Sequence, residues 1–480
     1  MKRVLAYLGV ILIVLIAIIL FRTFTFKSKQ VNVEQMSYLT LNDSCVSRLQ
    51  EAIRFKTISF DDPNLLDTAA FSGFQNFLIQ SYPLVFSKME VEKVNEFSLL
   101  LRWKGKSAKA KPIILMAHQD VVPVEEATAK LWSVKPFSGD IKDGFIYGRG
   151  ATDDKGSLIA ILESAELLLK QGFVPETDIY FAFGHDEEIL GLKGAKTIAK
   201  LFKERKISPA LVLDEGGIIT DYKVPGLDKK AALVGISEKG YQTLELKINI
   251  KGGHSSMPEE TTAIDEMAKA VVKLKKHPFE AEITPIVKEF ISYIGPEMPF
   301  VSKMAMANQW LFNPIILRNY SKSGGGNATI RTTTATTIFN AGIKENIIPG
   351  EAKATINFRT QPGVSREDVI AHVRKVIEND SIQITAIGLG SEPTQIADVN
   401  DPTFKYIQKS IAALEKDIIV SPYLVLGATD ARNFGDLTSQ VFRFIPFTDL
   451  EGFHGVNERL AIKDFKKGIN FYYYFLKDWK

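Results

Sequence analysis

Two adjacent carboxylates, Glu187 and Glu188, stand in the run Gly184-His-Asp-Glu-Glu-Ile-Leu-Gly191, directly after a β-branched and aromatic stretch without breakers at residues 177–183. Such a stretch reads as a buried strand that delivers the pair to its carboxyl end, where open α/β sheets keep their sites. Two neighbouring carboxylates cannot both be buried there as bare anions, because desolvation and mutual repulsion are costly or raise a pKa sharply. The pair therefore calls for a cation. Two more apolar runs stop in the same way, residues 111–117 at His118-Gln-Asp120 and 210–213 at Asp214-Glu215, and Asp153 follows the glycine-rich turn Tyr147-Gly-Arg-Gly-Ala-Thr152. A second imidazole, His454, lies far downstream in Gly452-Phe-His-Gly-Val456. Two histidines with carboxylates from separate strands make a nitrogen and oxygen ligand set that suits zinc and, less selectively, cobalt or manganese. Against Asp120, Asp153, Glu187, Glu188 and Asp214 together, one divalent ion would leave a large negative excess, so two ions fit better. Cys45 is the single cysteine, which excludes both an internal disulfide and a thiolate-rich site.

The elements that must position these groups follow from periodicity. Helices are expected at 44–55 and 71–82, and an amphipathic one at 155–171 with Leu158, Ile161, Leu162 and Ala165 on one face. Strand, helix, strand in this order predicts a mostly parallel sheet with covering helices. Asp120, two residues beyond His118 and on the same side of an extended segment, is placed to orient that imidazole. After residue 240 the pattern changes: an alternating strand at 241–251, a helix at 261–275, strands at 328–339 and 351–359, a helix at 365–379 and a strand at 382–387 give a β-α-β-β-α-β order, which is ferredoxin-like. The apolar stretch 282–320 is expected to pack as helices against this inserted unit; the sharper reading is that Phe300, Met304, Trp310 and Leu311 line a channel for an apolar acyl group or touch a membrane. A helix at 401–414, a strand at 418–426 ending at Gly427-Ala-Thr-Asp-Ala-Arg432, and a helix at 462–476 complete the chain. The division is a signal anchor and linker (1–40), a catalytic domain in two parts (41–238 and 394–480) and an inserted lid or dimerisation domain (239–393).

Length and charge bound the function. At 480 residues the chain is too long for one simple core. A net charge of +3, with no Lys/Arg run interleaved with aromatics, argues against nucleic acid as a partner. Met1-Lys-Arg3 precedes an apolar run at 4–21, followed by Arg22, Lys27 and Lys29. That run is about the 17 to 20 residues a bilayer core requires, and no small-residue cleavage site follows it, so an uncleaved signal anchor with the catalytic part outside the cytoplasm is expected. His185, His277 and His372 receive no role.

The motifs His118-x-Asp120, Gly148-Arg-Gly-Ala-Thr-Asp153, Asp186-Glu-Glu188, Leu213-Asp-Glu-Gly-Gly217, Gly252-Gly-His-Ser-Ser256 and Gly427-Ala-Thr-Asp-Ala-Arg432 occur in the order found in the dizinc aminoacylase/carboxypeptidase family, which the chain resembles over nearly all its length beyond the first forty residues. Residues 331–342, Asn346-Ile-Ile-Pro349 and His454-Gly-Val-Asn-Glu458 look most like the branch of carboxypeptidase S and the N-fatty-acyl-amino-acid synthase/hydrolase. The resemblance implies one zinc on His118, Asp153 and Asp214, with Glu215 in reserve, and another on Asp153, Glu188 and His454. It further implies Glu187 as general base and Asp120 behind His118. His254 would stabilise the oxyanion, reaching the site by lid closure or from a second subunit, and Asn346, Arg359, Gly427 and Arg432 would contact substrate. The implied activity is hydrolysis of an amide bond beside a free carboxylate, in a peptide or an N-acyl amino acid. A non-catalytic membrane-anchored binding protein retaining the fold is the alternative, which loss of a ligand or of Glu187 would favour; none is lost.

Overall fold

The computed structural model describes residues 1–107 and 109–480. Its centre is a nine-stranded mixed sheet. The strand Ile113–His118 runs parallel to Ile179–Gly184 on one side and to Leu211–Asp214 on the other, and Val441–Arg443 adds a further parallel partner to Leu211–Asp214. Antiparallel strands flank this centre: Ser98–Trp103 and Glu90–Val94 beyond Ile179–Gly184, and Ala231–Glu238 beyond Val441–Arg443. The expected mostly parallel sheet is therefore mixed. The parallel part coincides with the three runs that end in His118, Gly184 and Asp214, and its register holds those ends together: His118 pairs with Gly184.

The helix Lys155–Lys170 is buried on more than the one face its periodicity predicts. It packs against the strand Ile113–His118 and the terminal helix Ile462–Asp478, and also against Ser44–Arg54 and Pro83–Lys88. Leu158, Ile159, Ile161, Leu162 and Leu168 are all fully buried, each contributing about 1.5–3 kcal/mol of burial. This helix also carries an ionic staple. Glu163 accepts from the Arg48 guanidinium, by Nε and by Nη2 at 2.7 Å, and from the Tyr82 hydroxyl at 2.9 Å.

A separate four-stranded antiparallel sheet, Thr333–Ala341, Glu351–Thr360, Gly240–Asn249 and Gln383–Ser391 in spatial order, is covered by the helices Ala263–Lys276 and Arg366–Ile377 and has its own apolar core. The two helices begin with reciprocal caps, Thr262 with Asp265 and Ser365 with Asp368. Residues 328–330, expected in a strand, instead end the helix Gly324–Ile330, which Ser323 caps.

The stretch 282–320 differs from expectation in its partner. Its helix Pro285–Ile294 packs on the strand Ile419–Val425 of the large sheet, burying Val287, Phe290, Ile291 and Ile294 with Val224, Leu227 and Ile419. The reason is the face presented: the apolar side of this helix meets the outer strand of the large sheet, whereas the core of the small sheet is already closed by its own two helices.

The first helix, Lys2–Thr25, is long and apolar enough to cross a membrane. Residues 26–41 that follow are fastened to the body. Gln30 bonds the backbone of Tyr293 and Val420, the Met36 amide donates to Ala413, and the Leu39 amide donates to Asn470.

Candidate active site

Each group at the site stands at the end of an element whose local sequence places it. His118 terminates its strand and is almost fully buried. Its Nδ1 lies 3.0 Å from the Asp120 carbonyl and 3.3 Å from the Asp120 carboxylate, which leaves Nε2 to face Asp153 Oδ1 at 2.9 Å and Glu215 Oε1 at 3.4 Å. The other oxygen of Asp153 faces His454 Nε2 at 2.7 Å, and that nitrogen lies 3.2 Å from Glu188 Oε2. Asp153 thus presents one oxygen to each imidazole.

Asp120 does two things. Besides holding His118, it accepts from the Ser59 hydroxyl at 2.7 Å and from the backbone amides of Glu187 and Glu188, each at 3.1 Å, so it fixes the turn that carries the acidic pair. The glycines bounding that turn make room for another buried carboxylate: a Cβ on Gly184 would lie 2.5 Å from Asp430, and one on Gly191, which has φ +62°, only 1.9 Å away. His454 is set by a different device. Glu458 accepts from Thr152 and Asp153 amides at 3.0 and 3.3 Å and from Arg149 Nη1 at 2.6 Å, while Arg149 Nη2 donates to the His454 and Gly455 carbonyls at 3.2 Å. One buried ion pair therefore ties the Asp153 turn to the His454 loop.

The electrostatics state what this geometry lacks. Burial raises the Glu188 carboxyl to about 7 and that of Glu215 to about 8, with the Asp153 charge adding to both. Burial likewise pushes Glu187 well above the carboxylate range, reinforced by Glu215, Asp430 and Glu188. His454, bonded to Asp153 and Glu188, is raised to about 10; for His118 the carboxylates of Asp120, Asp153 and Glu215 outweigh burial and hold the proton. The two imidazoles are the cationic groups in direct contact with Asp153, Glu188 and Glu215 among the described residues. Among the described residues, Glu188 Oε1 and both carboxylate oxygens of Asp154 are buried without a hydrogen-bond partner. His118, Asp153 and Glu188 form one group whose ligand atoms converge, and His118, Asp154 and Glu215 form another. Nitrogen and carboxylate donors, convergent and short of positive charge, fit divalent cations.

Asp214, expected as a ligand, is not among the residues this arrangement brings to the cleft. Asp214 is the last residue of its strand; its carboxylate accepts from the Ala431 amide at 2.8 Å and does not line the cleft. Glu215, one residue on and therefore on the other side of the extended chain, reaches His118 and lines the cleft. Asp154, Arg149 and Glu458 are site residues to which sequence reasoning assigns no role. Arg149 and Glu458 lie inside conspicuous motifs, so motif membership was the available signal; Asp154 had only its position next to Asp153.

The cleft, about 440 Å³, brings together Asp153, Glu187, Glu188, Glu215 and His454 with Tyr241, Arg359, Gly427, Thr429 and Arg432. Arg359 stacks on the Tyr241 ring, 4.6 Å from its centroid, and has no carboxylate partner among the described residues. Arg432, by contrast, is occupied: it donates to Ser391 at 2.9 Å, to the Thr429 carbonyl at 3.0 Å and to Glu238 at 3.3 Å. His254 and Asn346 are not brought to this cleft. His254 lies on a separate exposed two-stranded ribbon and Asn346 just before its second strand, where the Asn346 carbonyl accepts from the Ser255 amide and His254 Nδ1 meets the Ser256 hydroxyl at 2.8 Å. His185 is a core residue, bonded to Ser98 and edged by Phe71 and Phe97.

Residues 114–478 match peptidase family M20/M25/M40. The chain is 41% identical over 98% of its length, and 92% of the relative's, to the probable carboxypeptidase S-like 2 of Dictyostelium discoideum. It is 36% identical over 96% of its length, and 92% of the relative's, to an N-fatty-acyl-amino acid synthase/hydrolase of Xenopus tropicalis. Among solved structures, an M20 family metallo-carboxypeptidase of Sulfolobus solfataricus shares the fold with a TM-score of 0.66, at 20% identity, over 91% of this chain and 99% of that one.

Proposed function

Since the chain belongs to peptidase family M20/M25/M40 and is a metallopeptidase or amidohydrolase of that family, we propose that it uses two zinc ions to cleave an amide bond beside a free carboxylate, releasing an amino acid from a peptide C-terminus or from an N-acyl amino acid. The observation that carries this reading is the unpaired Arg359 guanidinium in the same cleft as the acidic cluster. A half-buried guanidinium without a partner suits a substrate carboxylate, which it can bind bidentately.

His118, Asp153 and Glu215 would hold one ion, and Asp153, Glu188 and His454 the other, with Asp153 between them. When bound, such ions polarise a carbonyl and acidify water. The protein supplies the rest. Arg359 fixes the carboxylate end of the substrate, so that the scissile amide lies between it and the acidic cluster. Glu187, the one carboxylate of the pair that makes no contact with either imidazole, accepts a proton from the attacking water and returns it to the leaving amine. Asp120 holds both the His118 tautomer and the turn bearing Glu187. His254 and Asn346 would join from the ferredoxin-like unit, acting as a lid or from a partner subunit, to hold the oxyanion and the substrate carboxylate. The first helix would anchor the enzyme in a membrane with this cleft outside the cytoplasm.

The test is hydrolysis by the purified protein of a blocked dipeptide and of N-acyl amino acids of increasing chain length, each beside its carboxyl-amidated counterpart. Turnover of the free acids with little on the amides is expected, and Arg359→Ala should raise KM for every free acid. Equal rates on acids and amides would remove Arg359 from substrate recognition.

A further inference from the structure

A second cavity, of about 560 Å³, lies away from the catalytic cleft and shares none of its lining residues. It is enclosed between the large sheet and the helices of the 285–330 stretch, and its wall is mostly apolar: Phe290, Met298, Ala305, Met306, Ile316 and Tyr423. Sites of 300–1,000 Å³ are the size that holds drug-sized ligands. Ile315 lines this cavity and is also half exposed, so the cavity reaches the surface beside it.

That surface belongs to the helices Phe300–Ala307 and Gln309–Tyr320, which expose Phe300, Val301, Trp310 and Leu311. Such a patch on a water-facing surface marks a contact site. Its neighbour identifies the contact. The junction of these two helices is locked to the end of the first helix: Asn308 Nδ2 donates to the Ile19 carbonyl and to Thr23 Oγ1, both at 3.2 Å, Arg22 Nε donates to the Ala307 carbonyl, and the Phe24 and Phe300 rings lie 6.0 Å apart. Along a helix rising 1.5 Å per residue, Val4 to Phe24 spans roughly 30 Å, the thickness of a bilayer hydrocarbon core. The exposed patch therefore sits at the level where the span leaves the core, the depth at which tryptophan is favoured.

We propose that these two helices are seated in the membrane interface and that the cavity behind them takes one hydrocarbon tail of a lipid from the adjoining leaflet. This rests on the anchoring reading of the first helix, and it assigns the cavity a ligand distinct from the substrate.

The experiment uses the full chain reconstituted in phosphatidylcholine vesicles containing a trace of phosphatidylcholine with a diazirine at the end of one acyl chain. Irradiation followed by peptide mapping should place adducts on cavity-lining residues such as Met298 and Met306 as well as on the span. Ala305→Trp and Ser302→Trp, two independent fillings of the cavity, should each lower cavity adducts at least tenfold while leaving those on residues 4–21 and the Tm unchanged. Adducts confined to the span, or cavity adducts that survive both substitutions, overturn the proposal. Alkaline washing before irradiation separates the two readings: a chain that leaves the vesicles removes the anchor and this proposal together, whereas a retained chain without cavity adducts removes this proposal alone.

Discussion

Glu187 and Glu188 are chemically identical and adjacent, yet their surroundings divide their work. Glu188 Oε2 faces His454, and its other oxygen is buried without a hydrogen-bond partner among the described residues. Glu187 contacts neither imidazole and lines the cleft. Glu187→Gln keeps the shape and removes the proposed proton acceptor, so kcat should fall by about two to four orders of magnitude with metal content unchanged, measured by mass spectrometry beside the rate assay. Retained activity in that mutant would sink the assignment. The 214–215 pair divides similarly. Glu215→Ala removes a group facing His118 and should lower bound metal under limiting supply, whereas Asp214→Ala removes an acceptor for the Ala431 amide and should disturb the 427–432 loop while leaving metal stoichiometry higher. Equal metal loss in the two would return Asp214 to the ligand set.

At the scale of elements, the buried helix Lys155–Lys170 is the part on which the site depends, since Asp153 and Asp154 stand at its start. The Arg48, Tyr82 and Glu163 staple holds that helix to its neighbours, with Glu163 buried and Arg48 partly exposed. Glu163→Ala should cost about 1.5–3 kcal/mol, the value of hydrogen bonds to a charged group, visible as a lowered Tm, while Tyr82→Phe, which removes one neutral donor, should cost about 1 kcal/mol. Nearby, burial pushes the Cys45 thiol up to about 11, with the Glu163 charge adding to it. The unfolded chain releases this proton near pH 9 and the folded one only near 11, so stability should fall as pH rises through that window and be unaffected below it. Cys45→Ala should flatten the Tm decline between pH 9 and 11; an unchanged decline would assign it to other groups.

For the whole molecule, the N-terminal region has two parts of different physical character. Residues 2–25 form a helix whose apolar side chains are mostly exposed, while residues 26–41 are bonded to the large sheet and the helices beneath it. Deleting residues 1–25 should leave a folded enzyme with unchanged rates on soluble substrates. Deleting residues 1–41 removes the bonds of Gln30, Met36 and Leu39 and should lower Tm by several degrees. Thermal melts of the two truncations decide this, and equal Tm values would mean the 26–41 strap contributes nothing to stability.

The acidic pair after a strand, the two histidines and the glycine-rich turn before Asp153 were legible in the sequence because strand ends and turn residues carry local signals, and the ordered motifs placed the chain in its family. Periodicity likewise gave the helices at 44–54, 155–170 and 402–414 to within a residue or two. What the sequence alone left open were matters of direction and partner. Which of Asp214 and Glu215 faces His118 depends on how the strand Leu211–Asp214 lies against Ile113–His118, since alternate residues of a strand point to opposite sides. That the 285–330 helices cover the large sheet rather than the small one depends on which apolar face was still open, a property of the assembled layers. The link from Arg149 through Glu458 to the His454 loop joins residues some three hundred positions apart, and no local pattern encodes such a contact; only the closed tertiary structure brings the two ends of the site together.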